Sequence, residues 1–211
     1  MKNKLCLFVF ALALVACHKT NTVTSPDRNT KITFSLTENG APQYCVNKNE
    51  QAVLLESPLG LTLEGQDLSN SFRILSTERN SHNETWETVW GEEQYIVDQH
   101  NEMTVHLEHA SGIRMDAVFR VFNDGFAFRY VFPEQENLKE FTILDELSGF
   151  RFAEDPQAWS IPWRTEYYEG LWHKDALSEK TDTLCAPLTQ GNHTILANRG
   201  VKWKRTLPVE P

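Results

Sequence analysis

Short alternating runs joined by tight-turn signals constrain the fold of this 211-residue chain more than any other feature. The clearest example spans residues 102–132, where Met103, Val105 and Leu107 alternate with polar residues. Successive side chains of a β-strand point to opposite faces of a sheet, so this pattern predicts a half-buried strand. Asn-Asp-Gly at residues 123–125 is typical of a hairpin, because Asp-Gly tolerates the positive φ angles of tight turns.

The same pattern recurs upstream. Short strands are predicted at residues 32–36, 43–48, 51–56, 59–63 and 72–77, with turn residues between them. No amphipathic helix of ordinary length is predicted. The pattern as a whole is typical of an all-β sandwich.

Two motifs connect this pattern to a known family. Residues 86–93 (WETVWGEE) and 119–130 (FRVFNDGFAFRY) resemble the N-terminal domain of glycoside hydrolase family 97. The resemblance extends over residues 30–189. It implies a large two-sheet antiparallel β-sandwich of the galactose mutarotase type, incomplete at its C-terminal end. It also implies a parent enzyme that hydrolyses α-glucosides or α-galactosides.

In that family the catalytic carboxylates lie on a barrel that follows the sandwich. A barrel of this kind typically needs about 250 residues, so a sandwich and a barrel do not both fit in 211 residues. We therefore expect no catalytic residue in this chain. A separate catalytic barrel is a conceivable partner.

The N-terminus predicts export and lipidation. Lys2 and Lys4 precede an apolar stretch that is too short to span a bilayer and ends just before Cys17. We expect residues 1–16 to be a lipoprotein signal peptide, Cys17 to carry lipid, and residues 17–29 to be a polar tether. The expected location is the bacterial cell envelope, facing the periplasm or in the outer membrane. An ordinary signal peptide that happens to contain a cysteine is the alternative.

The net charge limits the kinds of binding partner, and the cysteines allow a disulfide. A net charge of −9 argues against nucleic acid, whose phosphates call for an excess of Lys and Arg. In an oxidising compartment Cys45 and Cys185 form either one disulfide or two separate buried thiols.

Residues 190–211 differ in composition from the rest of the chain. They are basic, through Arg199, Lys202, Lys204 and Arg205, and contain no acidic residue before Glu210. The resemblance implies a glutamate in this region that helps to hold calcium, and none is found, so we predict no cofactor for this chain. The tail is either a frameshift product that begins near Thr189 or a divergent genuine terminus.

Residues 159–172 are the best candidate for ligand binding. Aromatic rings that stack on sugar C–H faces are interleaved here with charged groups that bond hydroxyls. The predicted carbohydrate-binding residues are Trp163, Arg164, Glu166, Tyr167 and Tyr168. The ligand would be an oligosaccharide with α-glucosidic or α-galactosidic linkages. Packing of Trp159 and Trp163 against protein is the alternative.

Two other groups of residues invite functional hypotheses. His100, Glu102, His106 and Glu108 share one face of the predicted strand, and a plain exposed polar face is favoured there over a metal site. Trp86 and Trp90 are expected to share a face and fill the core.

Together these observations predict a carbohydrate-binding or active-site-supporting module that is not catalytic alone. One alternative is a non-functional remnant of a truncated glycosidase gene. The other is a mutarotase-like sugar epimerase, with His106 and Glu108 as its acid and base.

Overall fold

The computed structural model describes residues 21–163, 170–180, 183–190, 193–195 and 205–208, with the backbone alone described for 185–190, 193–195 and 205–208. These residues form sixteen strands and a single 3-10 turn at Leu177–Glu179. The strands are β1 (Asn21–Thr24), β2 (Thr30–Leu36), β3 (Pro42–Lys48), β4 (Gln51–Pro58), β5 (Leu61–Leu63), β6 (Gln66–Leu68), β7 (Phe72–Glu87), β8 (Tyr95–His109), β9 (Arg114–Val121), β10 (Phe126–Val131), β11 (Glu140–Glu146), β12 (Gln157–Pro162), β13 (His173–Ala176), β14 (Leu184–Gln190), β15 (His193–Ile195) and β16 (Arg205–Pro208). The predicted all-β fold is confirmed.

The strands form four antiparallel sheets of four strands each. The first sheet is β1-β2-β3-β4 and the second is β10-β9-β8-β7, both built by neighbours in sequence. The third has the order β16-β11-β5-β6, and the fourth has the order β13-β12-β14-β15. The third sheet therefore joins strands that are distant in the chain, which no local pattern could predict.

The main core lies between the first two sheets. Met103, Val105 and Leu107 of β8 are fully buried, as their alternation predicts. Phe119 of β9 contacts Phe34 of the first sheet, with ring centroids 6.0 Å apart. Burial of large apolar side chains from both sheets is the main stabilising contribution to a sandwich of this kind.

Two tyrosines, Tyr44 fully buried and Tyr130 half-buried, connect this core to the chain that follows β11. The Tyr44 hydroxyl donates a hydrogen bond to the Gly149 carbonyl oxygen at 3.1 Å. The Tyr130 hydroxyl accepts one from the Gly60 amide at 2.9 Å and lies 2.7 Å from the Ser148 hydroxyl. Burial raises the pKa of both phenols well above the usual value, because the charged form would lose its hydration.

The turns follow their predictions with one difference. The hairpin between β9 and β10 is confirmed, but Val121 pairs with Phe126, so its loop has four residues. A four-residue loop does not require positive φ, and neither Asp124 nor Gly125 has it. Gly40 does need to be glycine: its φ is +76°, and a Cβ there would lie 2.7 Å from the backbone of Phe72.

The hairpin of β7 and β8 is much longer than predicted. It is paired from Phe72 and His109 to Glu87 and Tyr95, with one register shift at Leu75. From Glu78 to Glu87 every residue of β7 is exposed. Beyond the pair of His82 and His100 neither strand has a buried residue, so this end of the hairpin projects beyond the core as an arm. We call residues 83–99 the β7–β8 arm.

The structure also corrects the ends of the predicted domain. The predicted tether 17–29 includes β1, whose Val23 is buried against the core, so the polar composition was misleading for residues 21–24. Thr22 and Thr24 are β-branched and suit a strand. At the other end, the predicted boundary at Thr189 falls inside β14, which pairs with β15 across it. Among the described residues, no helix is long and apolar enough to cross a bilayer.

Candidate carbohydrate-binding surface

The fourth sheet presents two tryptophans outward from the strand β12 and its end. Ala158 and Ser160 of this strand are buried, so Trp159, which lies between them, faces the opposite side of the sheet. Trp159 and Trp163 are accordingly 43% and 42% exposed. The strand pattern therefore turns two large aromatic side chains toward solvent at a spacing of four residues.

The neighbouring strand adds a cation to this surface. Lys174 of β13 is the register partner of Trp159, and its Nζ lies 5.7 Å from the centre of the indole ring. This distance is within the range of a cation–π contact, which holds the ammonium beside the ring while leaving its N–H groups available to a ligand. The arrangement combines an aromatic face with hydrogen-bond donors.

The predicted binding segment follows the end of β12 at Pro162, and the described chain resumes at Gly170, three residues before β13. The Trp163 amide donates to the Thr183 carbonyl oxygen at 2.8 Å, which fixes the start of this segment. A Cβ on Gly170 would lie 2.8 Å from the Ile161 Cγ2, so the chain passes very close to β12 there. Leu171 and Trp172, just after this point, are exposed and extend the apolar surface.

Four of the five predicted sugar-binding residues lie in residues 164–169, outside the described part of the chain. They are Arg164, Glu166, Tyr167 and Tyr168. Their contribution stays a prediction. Trp163 is exposed, as a binding role requires, and the structure adds Trp159 and Lys174 to the candidate surface. Lys174 could not be found from the sequence, because its pairing with Trp159 depends on the register of β13.

The prediction of an exposed polar face on β8 is confirmed only in part, because His100 is buried and the other three residues are half-buried. Glu102, His106 and Glu108 lie on the side opposite the buried apolar residues. His106 Nδ1 is 2.8 Å from Asp116 Oδ1, and Glu108 Oε2 is 2.7 Å from Arg73 Nη2. The acid and base proposed for an epimerase therefore each have a charged partner of their own. Within the described residues, no group of three His, Cys, Asp or Glu side chains is arranged to hold a metal ion.

The prediction that Trp86 and Trp90 fill the core is wrong. Trp86 is 50% exposed near the end of β7, and Trp90 is 89% exposed in the loop that closes the hairpin. The reason is the length of the β7–β8 arm, which carries this motif beyond the region where a second sheet faces it. Exposed aromatic groups of this size are unusual on a soluble domain and mark interaction sites or aggregation liabilities.

The cysteines are described only in part. Cys45 lies in β3 as a free, half-buried thiol, and burial raises its pKa. Cys185 lies in β14, where its backbone pairs with Ile161, and its side chain is outside the described residues, as is Cys17. The disulfide and the lipidation stay predictions.

Comparison with known proteins decides the family. Residues 23–197 match the family Glycosyl-hydrolase 97 N-terminal, which covers most of the chain and extends past Thr189. This chain belongs to glycoside hydrolase family 97. The matched part is the N-terminal domain of that family, as the two sequence motifs implied.

Curated relatives of this family 97 domain are α-galactosidases. A probable retaining α-galactosidase of Streptomyces bingchenggensis is 33% identical over 127 residues, 60% of this chain and 19% of that protein. A retaining α-galactosidase of Bacteroides thetaiotaomicron is 26% identical over 160 residues, 75% of this chain and 23% of that protein. The chain thus spans about a fifth of the length of these relatives.

Solved structures agree with the assignment. A family 97 enzyme from Pseudoalteromonas sp. strain K8 in complex with acarbose has a TM-score of 0.75 and 34% identity. The match covers 80% of this chain and 26% of that chain. The same source provides a complex with panose, at a TM-score of 0.74. The all-β fold of the family 97 N-terminal domain is therefore the fold of this chain.

Proposed function

We propose that this chain is a carbohydrate-binding and active-site-supporting module of a family 97 α-glycosidase, without catalytic activity of its own. The observation that carries the proposal is the surface of Trp159, Trp163 and Lys174, which offers aromatic faces and a donor group to solvent. Sugar-binding sites combine these elements, since rings pack on the apolar C–H faces and polar groups bond the hydroxyls.

The relatives support the choice of ligand. Their curated names specify α-galactosidase, and the Pseudoalteromonas enzyme has been solved with panose and with acarbose. We therefore propose an oligosaccharide with α-glucosidic or α-galactosidic linkages as the ligand class. A catalytic barrel of this family is the proposed partner of the domain.

Export and lipidation belong to the same proposal. The apolar stretch before Cys17 supports attachment to the bacterial envelope, through lipid on that residue, with the domain facing the periplasm. Calcium is not proposed for this chain, because residues 190–209 contain no carboxylate that could serve as the ligand the family resemblance implies.

Tryptophan fluorescence tests the proposal. Titration with panose and with an α-galactoside should change the emission, because a sugar stacked on Trp159 or Trp163 alters the solvent around the indole. Trp163→Ala should remove most of the response. Trp90→Ala is the matched control, since it removes an exposed tryptophan on the β7–β8 arm and should leave the response intact. An unchanged emission at millimolar sugar would remove the binding function for these ligands.

The epimerase alternative has a separate test. If His106 and Glu108 transferred protons to a sugar, the protein would accelerate anomer equilibration of glucose or galactose, and His106→Ala would abolish the effect. We expect equal rates with and without the protein, because both side chains are engaged with charged partners.

A further inference from the structure

A second group of polar side chains encloses a cavity on the outer face of the second sheet. The cavity has a volume of about 170 Å³ and lies at the root of the β7–β8 arm. Cross-strand pairing brings its walls together, since His82 faces His100 and Asn80 faces Glu102. Glu102 in turn faces Arg120 on β9. Three strands therefore contribute to one concave surface.

The two imidazoles are held in place by a shared carboxylate. His100 is only 3% exposed, and its ring packs against Phe122 with centroids 5.0 Å apart. Its Nδ1 lies 2.6 Å from Asp98 Oδ1, while the other oxygen of Asp98 lies 3.6 Å from His82 Nε2. Glu84 Oε2 approaches the same His82 nitrogen at 3.4 Å. A buried histidine on the polar face of a sheet is uncommon and is stabilised here by this network.

The opposite wall is an ion pair that remains partly open to solvent. Arg120 Nε donates to Glu102 Oε2 at 2.7 Å. The Arg120 side chain is 44% exposed, so the pair is not sealed within the protein. A guanidinium carries five N–H donors, and a carboxylate has several acceptor positions, so one contact does not exhaust either group.

The chemistry of the walls selects the class of ligand. Asp98 and Glu102 accept hydrogen bonds, Arg120 donates, and the Asn80 amide and His82 can do both. A sugar hydroxyl both donates and accepts, so adjacent hydroxyls match such alternating groups. Two carboxylates against one guanidinium disfavour an anion such as phosphate, whereas a neutral ligand meets no such repulsion. The cavity is smaller than roughly 300 Å³, the lower limit for pockets that hold drug-sized ligands. A single sugar ring is therefore the size of ligand that fits.

We propose that this cavity binds a single pyranose unit of a carbohydrate through its hydroxyl groups. Asn80, His82 and Arg120 contact the ligand, and Asp98 positions the two imidazoles. The site is separate from the surface of Trp159 and Trp163, and it does not depend on sugar binding there.

Proton NMR of the histidine ring C–H signals in the full-length protein tests the proposal. Titration with glucose, galactose and panose should shift the His82 and His100 signals in a saturable manner. Asn80→Ala and His82→Ala should each weaken binding about tenfold or more, through loss of ligand hydrogen bonds. His106→Ala is the matched control, since His106 lies on the same sheet face but does not line the cavity. Asn80 is exposed, so its replacement keeps the test valid if His82→Ala does not fold.

Other outcomes would overturn the proposal. Ring signals that move with Zn²⁺ or Ca²⁺ but not with sugar would make this a cation site. Sugar-dependent shifts that survive both Asn80→Ala and His82→Ala would place binding elsewhere, and the absence of any shift would remove the site. Trp163→Ala should leave the ring shifts unchanged, so failure at the tryptophan surface and failure at the cavity can be distinguished.

Discussion

The raised pKa values of Tyr44 and Tyr130 predict a specific loss of stability at alkaline pH. The folded-state pKa values of Tyr44 and Tyr130 are raised by burial, so neither phenol ionises in the folded protein until the pH is well above 10. In the unfolded chain both ionise near pH 10. The unfolded state therefore holds fewer protons above that pH. Stability from these two groups is complete below about pH 10 and falls as the pH rises further.

The expected magnitude follows from the unfolded-state pKa. At about pH 11, one unit above it, ionisation lowers the free energy of the unfolded state by about 1.4 kcal/mol for each phenol. The two tyrosines together cost about 3 kcal/mol at that pH, a large part of the stability of an ordinary domain. Tyr44→Phe removes one of these contributions. It also removes the hydrogen bond to the Gly149 carbonyl oxygen, worth about 1 kcal/mol near neutral pH.

Urea unfolding at several pH values between about pH 8 and about pH 11 measures both effects. At the lower end of this pH range Tyr44→Phe should be less stable than wild type, because it lacks the hydrogen bond to Gly149. At the upper end it should match wild type, because it no longer loses stability through ionisation of Tyr44 in the unfolded chain. Tyr95→Phe is the matched control, because this tyrosine lies exposed on the β7–β8 arm. The reasoning would be refuted if Tyr44→Phe and wild type lost stability with pH at the same rate.

Three further changes test the packing of the fold. Gly40→Ala should destabilise the protein by about 2 kcal/mol or more in urea unfolding, because an alanine at positive φ is strained and its Cβ would meet the Phe72 backbone; an unchanged midpoint would contradict that geometry. Phe119→Ala should cost about 3–5 kcal/mol in the same assay, since this fully buried ring contacts both Phe34 and Tyr44. Trp90→Ser should leave the unfolding midpoint nearly unchanged and reduce self-association in light scattering, and a loss above about 1 kcal/mol would show that the indole is packed.

The sequence predicted β2, β3, β4, β9 and β10 of the first two sheets well, because each lies beside its neighbour in the chain, but it missed β1. The alternation of Met103, Val105 and Leu107 identified the buried face, and it is fully buried. Local patterns could not predict the third sheet, where β11 pairs with β5 across about 80 residues of chain. They also missed the β7–β8 arm, because Trp86 and Trp90 look like core residues when the length of the facing sheet is unknown.

The candidate sites were predictable to different degrees. Aromatic density alone pointed to Trp163, and the exposure of Trp163 agrees with the predicted role. The cavity at His82, Asp98 and Arg120 had no sequence signal of its own, because its members are far apart in the chain and meet only through strand register. The prediction of a shared polar face at His100 and Glu102 came closest, but it gave no sign that His100 would be buried.

Isothermal titration calorimetry with panose tests the central claim most directly. The account predicts saturable binding by the wild-type protein and weaker binding by about tenfold or more for the double variant Trp159→Ala/Trp163→Ala, with its fold intact by circular dichroism. It also predicts that no free glucose is released during the titration. Equal binding by the two proteins, or hydrolysis of panose by the chain alone, would contradict the account.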